Sequence, residues 1–284
     1  MPHILIAGCG DLGLRAAARL LAGGHTVTGL RRTPASAAAL PGLAWVSADV
    51  TRPDTLRPLA GSVDQLLYVL TPGQRSEAAY RAVFVDGLRN LTQALGPTLQ
   101  RVVFASSSAV YGEHHGDWVD EATPTAPLGY NGRVLVEAEG ILAHLPCTTV
   151  SLRLAGLYGP GRLQLVQRLA RGEAKAPRAP VHWANRLHSD DAAAALVHLL
   201  QLSQPEPVYV GCDDTPLPLH ELYQTLASAI GAPEVADGPP PPGIGSKRLS
   251  NARLRASGLS LQWPDSRIGY RALLANTGES GTKP

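Results

Sequence analysis

Residues His3–Gly13 read HILIAGCGDLG. The run opens with a short, almost continuous apolar stretch, the pattern of a strand covered on both faces. It breaks on Gly8, and Gly8, Gly10 and Gly13 fall in the spacing GxGxxG. Leu14, Ala17, Ala18 and Leu21 then recur at helical spacing, and Gly23-Gly24 can close that helix in a left-handed cap. In a strand–turn–helix of this kind the first glycine permits the tight turn. The second lets backbone approach a pyrophosphate, and the third lets helix and strand pack closely. With Asp11 and Leu12 in the turn, the helix N-terminus offers amides and a partial positive charge to an anion. The rival reading is a tight turn in an unrelated fold; the strand before and the helix after favour a dinucleotide.

Further apolar runs follow: HTVTGL from His25, LAWVSA from Leu43, QLLYVL from Gln65, RVVFAS from Arg101 and TTVSLRL from Thr148. Helical patterns separate them, the clearest from Tyr80 to Leu95 and closed by Gly96-Pro97. Alternation of this kind implies parallel pairing through right-handed crossovers, hence an α/β chain with a Rossmann-type doubly wound sheet. The expected dinucleotide-binding domain is 1–157, completed by a later strand at 207–211. A smaller C-terminal substrate-binding region is expected at 158–275, with helices from Arg162, Asp190, Leu219 and Ser266, the last ending at Ala275. Residues 276–284 read as a flexible tail.

Composition narrows the function. The 284 residues are 44% hydrophobic and 17% charged with a net charge of +2, a globular balance that excludes a strongly basic nucleic-acid binder. No apolar stretch is long enough to span a membrane, and the N-terminus lacks the basic region of a signal peptide. Cys9, Cys147 and Cys212 are far apart and form no CxxC pair, so neither a metal site nor a disulfide framework is indicated. A cytoplasmic protein acting on a small molecule is expected. Of its 25 cationic residues 22 are arginine, the lysines being Lys175, Lys247 and Lys283.

An NAD site usually carries a carboxylate at the end of the second strand for the ribose 2′-hydroxyl. That place reads GLRRT, with Arg31 and Arg32. Two guanidiniums suit a 2′-phosphate, so NADP is favoured and NAD remains possible; the plain alternative is two solvated surface charges. Asp49, followed by Val50, ends the third strand, where an acid either accepts from the adenine amine or caps the turn before Pro53. Leu70 and Thr71 end the fourth strand, at the sheet edge where ligands bind in such folds.

Several stretches in order now resemble the extended short-chain dehydrogenase/reductases, the NAD-dependent epimerase/dehydratase group. They are GCGDLG, ADV at Ala48–Val50, VVFASSSAVYG at Val102–Gly112, LRLAGLYGPGR at Leu152–Arg162 and RLHSDDAAAAL at Arg186–Leu196. KRLSNARLRASGLSLQWP at Lys247–Pro264 is similar to the end of a bacterial atypical subgroup. The resemblance implies that Ser107 polarises a substrate carbonyl and that Leu154–Leu157 line the nicotinamide. It also implies that Ser108, Arg162 and His188 face substrate. A hydroxyl-rich turn is the structural alternative for Ser106–Ser108.

The chain departs from this family at the proton donor. The family's YxxxK pairs a tyrosine acid with a lysine that lowers its pKa. Here Tyr130 is followed four residues on by Val134; aligning on Glu139 instead puts Asn131 and Leu135 in the two places. No lysine precedes Lys175. Arg133 shares a helix face with Tyr130 and is a candidate substitute, against a surface tyrosine and a solvated arginine. Tyr111 reads as structural, and His114 and His115 as loop residues able to act as acids near pH 7. Three readings follow: an NADP-preferring oxidoreductase or epimerase-like enzyme with tyrosine, histidine or water as donor; a non-catalytic NADP-binding sensor; and a nucleotide-sugar epimerase with Arg162 and Arg186 on a diphosphate. A homodimer through the helices at 80–95 and 132–145 is possible, as in the family.

Overall fold

The computed structural model describes residues 2–33 and 40–279, the last four through their backbone alone. Seven strands form one sheet: β1 (His3–Ala7), β2 (Thr26–Arg31), β3 (Ala44–Ser47), β4 (Gln65–Tyr68), β5 (Arg101–Ser107), β6 (Thr148–Leu154) and β7 (Val208–Gly211). Their spatial order is β7-β6-β5-β4-β1-β2-β3. β1 pairs in parallel with β2 and β4, β2 with β3, and β4 with β5. The residues from Ile4 to Ala7, and Leu66, Leu67, Val102, Val103 and Phe104, are fully buried, which is why these strands read as unbroken apolar runs. The chain moves outward from β1 through β3 and then returns to place β4 on the other side. The carboxyl ends of β1 and β4 therefore flank the topological switch point, the place where such sheets bind ligands.

Helix α1 (Asp11–Ala22) follows β1 directly and buries Gly13, Ala16, Ala17 and Leu20. Before β5, α2 (Glu77–Arg81) is capped by the Ser76 hydroxyl and widens through a π turn (Ala82–Asp86) into α3 (Gly87–Leu95). The Tyr68 hydroxyl donates to the Val83 carbonyl within that turn. The stretch read as one helix from Tyr80 thus begins three residues earlier and carries an insertion that its spacing did not show. α4 (Tyr130–Leu142) follows β5, and α5 (Gln164–Ala170), α6 (Ser189–Gln201) and α7 (Leu219–Ala229) match the expected helices with ends shifted by one or two residues. The short α8 (Ala252–Ala256) was not read from the sequence. α9 (Ser266–Glu279) passes the expected end at Ala275, and residues 280–284 of the expected tail lie outside the described ones.

Contacts divide the chain into two units. The first is 1–110, 129–153 and 193–209, and the second is 111–128, 154–192 and 210–284. The chain passes between them repeatedly, and the strand expected at 207–211 is β7 of the seven-stranded sheet. In the second unit Gly156–Tyr158 pairs in parallel with Arg186–His188, so the two motif segments LRLAGLYGPGR and RLHSDD are neighbours. Trp118–Val119 pairs in parallel with Arg248–Leu249, and Trp183–Ala184 in antiparallel with Leu217–Pro218. Tyr158, Leu169, Leu222, Leu226 and Tyr270 form a core there. Two buried acids fasten the segment that leads into α9. Asp191 accepts from the Gln262 and Trp263 amides, and Asp213 from the Ser266 amide.

Candidate cofactor and active site

In the first unit the glycine turn has a different physical demand at each glycine. Gly8 has φ +93°, and a Cβ there would lie 2.6–2.7 Å from the backbone of Val69 and Leu70 at the end of β4. A Cβ on Gly13 would lie 2.7 Å from the Gly8 carbonyl oxygen. Both glycines are thus required by the protein's own packing. Gly10 is different: nothing lies within 4 Å of the position a Cβ would take. Gly10 also precedes α1 without a side-chain cap, which leaves the helix N-terminus to an anion. The turn therefore fits a pyrophosphate, whose approach over Gly10 a side chain would obstruct.

At the end of β2, the Arg31 carbonyl accepts from the Ala48 amide at 3.1 Å, and the Arg32 carbonyl from the Ser47 hydroxyl at 2.9 Å. These bonds fix the backbone and leave the guanidiniums unconstrained. Arg31 is half-buried and Arg32 exposed, and among the described residues neither pairs with a carboxylate. The Arg32 Nη2 lies 3.8 Å from where a Cβ on Gly73 would be, beside the loop after β4. The Arg31 charge works to lower the pKa of Cys9, but burial dominates and pushes that thiol up to about 11, so Cys9 is an inert packing residue.

Asp49 turns its Oδ1 to its own loop, accepting from the Thr51 amide at 2.9 Å and the Thr51 hydroxyl at 2.8 Å. The 3₁₀ turn Pro53–Leu59 begins after Arg52, so Asp49 fastens the loop before that turn rather than capping it. Val50 is buried, and its carbonyl accepts from Asn90 at 2.9 Å. Leu70 is half-buried opposite Gly8, and Thr71 is exposed.

The serine turn at the end of β5 separates two roles. Ser106 is buried and donates to Glu139 Oε1 at 2.6 Å. Arg153 from β6 forks onto the same carboxylate, with Nη2 to Oε2 at 2.6 Å and Nε to Oε1 at 3.1 Å. Only 8% of the Arg153 side chain and 10% of the Glu139 side chain are exposed. Ser107 stands outside this cluster. Its Oγ accepts from the Ala109 amide at 3.2 Å, which leaves its proton without an acceptor among the described residues. That geometry suits a hydroxyl that donates to a ligand carbonyl. Ser108, half-buried, opens the Ser108–Val110 turn, against which α4 packs.

Tyr130 is the first residue of α4, and its ring meets Tyr80 edge-on at 5.4 Å. Arg133 is solvent-exposed, while Val134 and Leu135 are 1% and 4% exposed. Both places where an alignment could put the missing lysine are therefore filled by buried aliphatic side chains.

In the second unit Leu154 is buried, and Leu157 and Arg162 are half-buried. His188 is 2% exposed, accepts from the Asp190 amide at Nδ1, and packs against Tyr158 and Trp263. This ring braces the start of α6 and offers substrate little surface. Arg186 donates to the Asn185 carbonyl and to Tyr270, so it is engaged within the fold. Tyr111 is 1% exposed with its hydroxyl on the Asp120 carbonyl, in keeping with a structural role. The Glu113 carboxylate accepts from the His114 and His115 amides. Asp213 is held by burial up to about 7, above the usual carboxylate range, even though the Thr215 and Ser266 amides stabilise its charge. The Ser106–Glu139–Arg153 cluster was not anticipated. Its one sequence signal is an arginine placed inside the apolar strand TTVSLRL.

Comparison with known proteins places this geometry in a family. Protein YeeZ of Escherichia coli K12 is 33% identical over 240 residues, covering 81% of this chain and 85% of that protein. The 2′-dehydrokanamycin reductase of Streptomyces kanamyceticus is 30% identical over 247 residues, 81% of this chain and 67% of that enzyme. A solved structure from Methylobacillus flagellatus, described as an NAD-dependent epimerase/dehydratase, is 42% identical with a TM-score of 0.81, covering 97% of this chain and 98% of that one. The model of the NAD dependent epimerase/dehydratase family matches residues 4–211, from β1 through β7. The chain belongs to the NAD-dependent epimerase/dehydratase family.

Proposed function

We propose that the protein is an NADP-preferring oxidoreductase of this family, acting on the carbonyl of a small, sugar-like molecule, with a proton donor other than the YxxxK pair. The observation that carries the cofactor half is the pairing of an open Gly10 with two arginines at the end of β2 that have no carboxylate partner among the described residues. Arg31 and Arg32 hold the 2′-phosphate, and Gly8–Gly13 hold the pyrophosphate. Val50 and the second oxygen of Asp49 face the adenine; Leu70, Thr71, Leu154 and Leu157 flank the rest of the nucleotide. Bound nicotinamide supplies or takes up hydride. Ser107 donates a hydrogen bond to the carbonyl oxygen and stabilises the charge that develops there. Ser108 and Arg162 contact substrate, and His188 positions the segment that carries it. Tyr130 is the protein's nearest counterpart to the family's acid, with Val134 four residues on where the family has its lysine. The similarity to 2′-dehydrokanamycin reductase supports a carbonyl on a sugar-derived ring. We place the protein in the cytoplasm, as a monomer or a homodimer.

The test is a pair of fluorescence titrations with NADPH and NADH. NADPH is expected to bind at least tenfold more tightly, a difference of about 1.4 kcal/mol, and Arg31→Ala with Arg32→Ala to erase it. Equal affinities in the unaltered protein would remove the NADP assignment. A second reading is a non-catalytic NADP sensor, favoured by the buried Val134 and Leu135. Tight NADPH binding without oxidation across a panel of sugar-derived ketones would select it.

A further inference from the structure

Arg171, Arg178, Arg253, Arg255 and Arg267 of the second unit each lie against a carboxylate. Arg248 is half-buried and, among the described residues, lies against none. It is held instead between two indoles, its Cζ 4.9 Å from the ring centroid of Trp183 and 5.1 Å from that of Trp118. Its Nε donates to the Gly116 carbonyl at 2.7 Å. The Nη1 and Nη2 edge has no acceptor among the described residues. Stacking and one backbone bond thus fix the guanidinium plane while its forked edge stays available.

The surroundings are built to hold this arrangement. The Glu113 carboxylate gathers the amides of His114, His115 and Ser246. The Ser246 hydroxyl bridges the Val181 carbonyl and the Trp183 amide. A Cβ on Gly116 would come 2.8 Å from Trp183 Nε1, and the preceding His115 takes φ +50°, a conformation unusual for a side-chain-bearing residue. Next to it in sequence, the buried Lys247 amine donates to the Gly112 and Gly245 carbonyls, and among the described residues no carboxylate is bonded to it. Beside these cations lie exposed apolar groups. Trp118 is 56% exposed, Val181 48% and Ile244 57%.

We propose that Arg248, clamped between Trp118 and Trp183, is a receptor for an oxyanion, carboxylate or phosphate, carried on a ring-bearing small molecule whose apolar face covers Trp118. A pre-aligned guanidinium loses little freedom when it takes a two-oxygen anion. An exposed indole beside it supplies the contact that distinguishes an organic anion from an inorganic one. A stack that served only to join the three loops would need the indoles and the Gly116 bond, and would leave no ligand dependence. This site stands independently of the dinucleotide reading.

Isothermal titration of the full chain tests it, with phenyl phosphate, benzoate and inorganic phosphate as probes and NADPH present in excess so that the glycine turn is occupied. Phenyl phosphate or benzoate is expected to saturate at least tenfold more tightly than inorganic phosphate, and the stronger of the two identifies the oxyanion. Arg248→Lys should weaken that probe about tenfold and Arg248→Met by more. Trp118→Ala, at an exposed position, should bring it to the level of inorganic phosphate. Absence of saturation with all three probes overturns the proposal. So does unchanged affinity in a folded Arg248→Met or, if that variant does not fold, in both Arg248→Lys and Trp118→Ala.

Discussion

Replacing Glu139 by alanine removes the one carboxylate that Arg153 and Ser106 share. The Arg153 side chain is 8% exposed, so the substitution takes from a largely buried guanidinium the carboxylate onto which it forks. Breaking a buried pair on one side typically costs about 3–5 kcal/mol, and the Ser106 hydroxyl loses its acceptor at a further cost of about 1 kcal/mol. For a chain of this size 1 kcal/mol is about 2–4 °C of melting temperature, so Glu139→Ala should melt roughly 8–24 °C lower. Arg153→Leu leaves the carboxylate unpaired and should lose a comparable amount. The double variant Glu139→Leu with Arg153→Leu strands no charge and should lose less than the two single losses added together, with a coupling of at least about 2 kcal/mol. Urea unfolding of the four proteins measures this directly. A loss below 1 kcal/mol for Glu139→Ala, or strict additivity in the cycle, would refute the view that this pair is a desolvated unit supporting the serine turn.

Gly10→Ala should leave stability within about 0.5 kcal/mol, since its Cβ meets nothing, yet weaken nucleotide binding more than tenfold; equal binding would mean that no pyrophosphate lies over the turn. Gly8→Ala should damage both, because the new Cβ strikes the β4 backbone at a positive φ, so normal melting together with normal nucleotide affinity would contradict the structure. Asp213 keeps its proton in the folded state up to about pH 7, whereas in the unfolded chain it loses it near 3.8. Its contribution to stability is therefore fully present below about pH 4 and is lost as pH rises to about 7, by up to about 4 kcal/mol. Urea midpoints at pH 5 and pH 8 should show the unaltered protein falling relative to Asp213→Asn, and a pH-independent difference between them would exclude this assignment.

The doubly wound sheet was legible in the sequence because its strands are buried on both faces and each is followed by a helical period or a turn. The glycine turn was legible because backbone sterics admit only glycine at Gly8 and Gly13. Local pattern did not reveal the π turn, within which the Val83 carbonyl accepts from the hydroxyl of Tyr68 on another element. Nor could it separate Ser106 from Ser107, which are adjacent and chemically identical. Strand alternation turns them to opposite sides, and only the arrival of Glu139 from α4 and Arg153 from β6 makes the first structural and leaves the second its proton. His188 read as a substrate residue, and its ring proved enclosed by Tyr158 and Trp263, partners 30 and 75 residues away. Arg248 was passed over in a chain rich in arginine, because what sets it apart is the set of residues around it. The sequence by itself determined the alternation of strands and helices and the glycine turn, which depend on local periodicity and on the conformations each residue allows. The tertiary structure decided which charges are paired, which hydroxyls keep their protons and which arginines stay open, because these depend on groups that the chain brings together only when it folds.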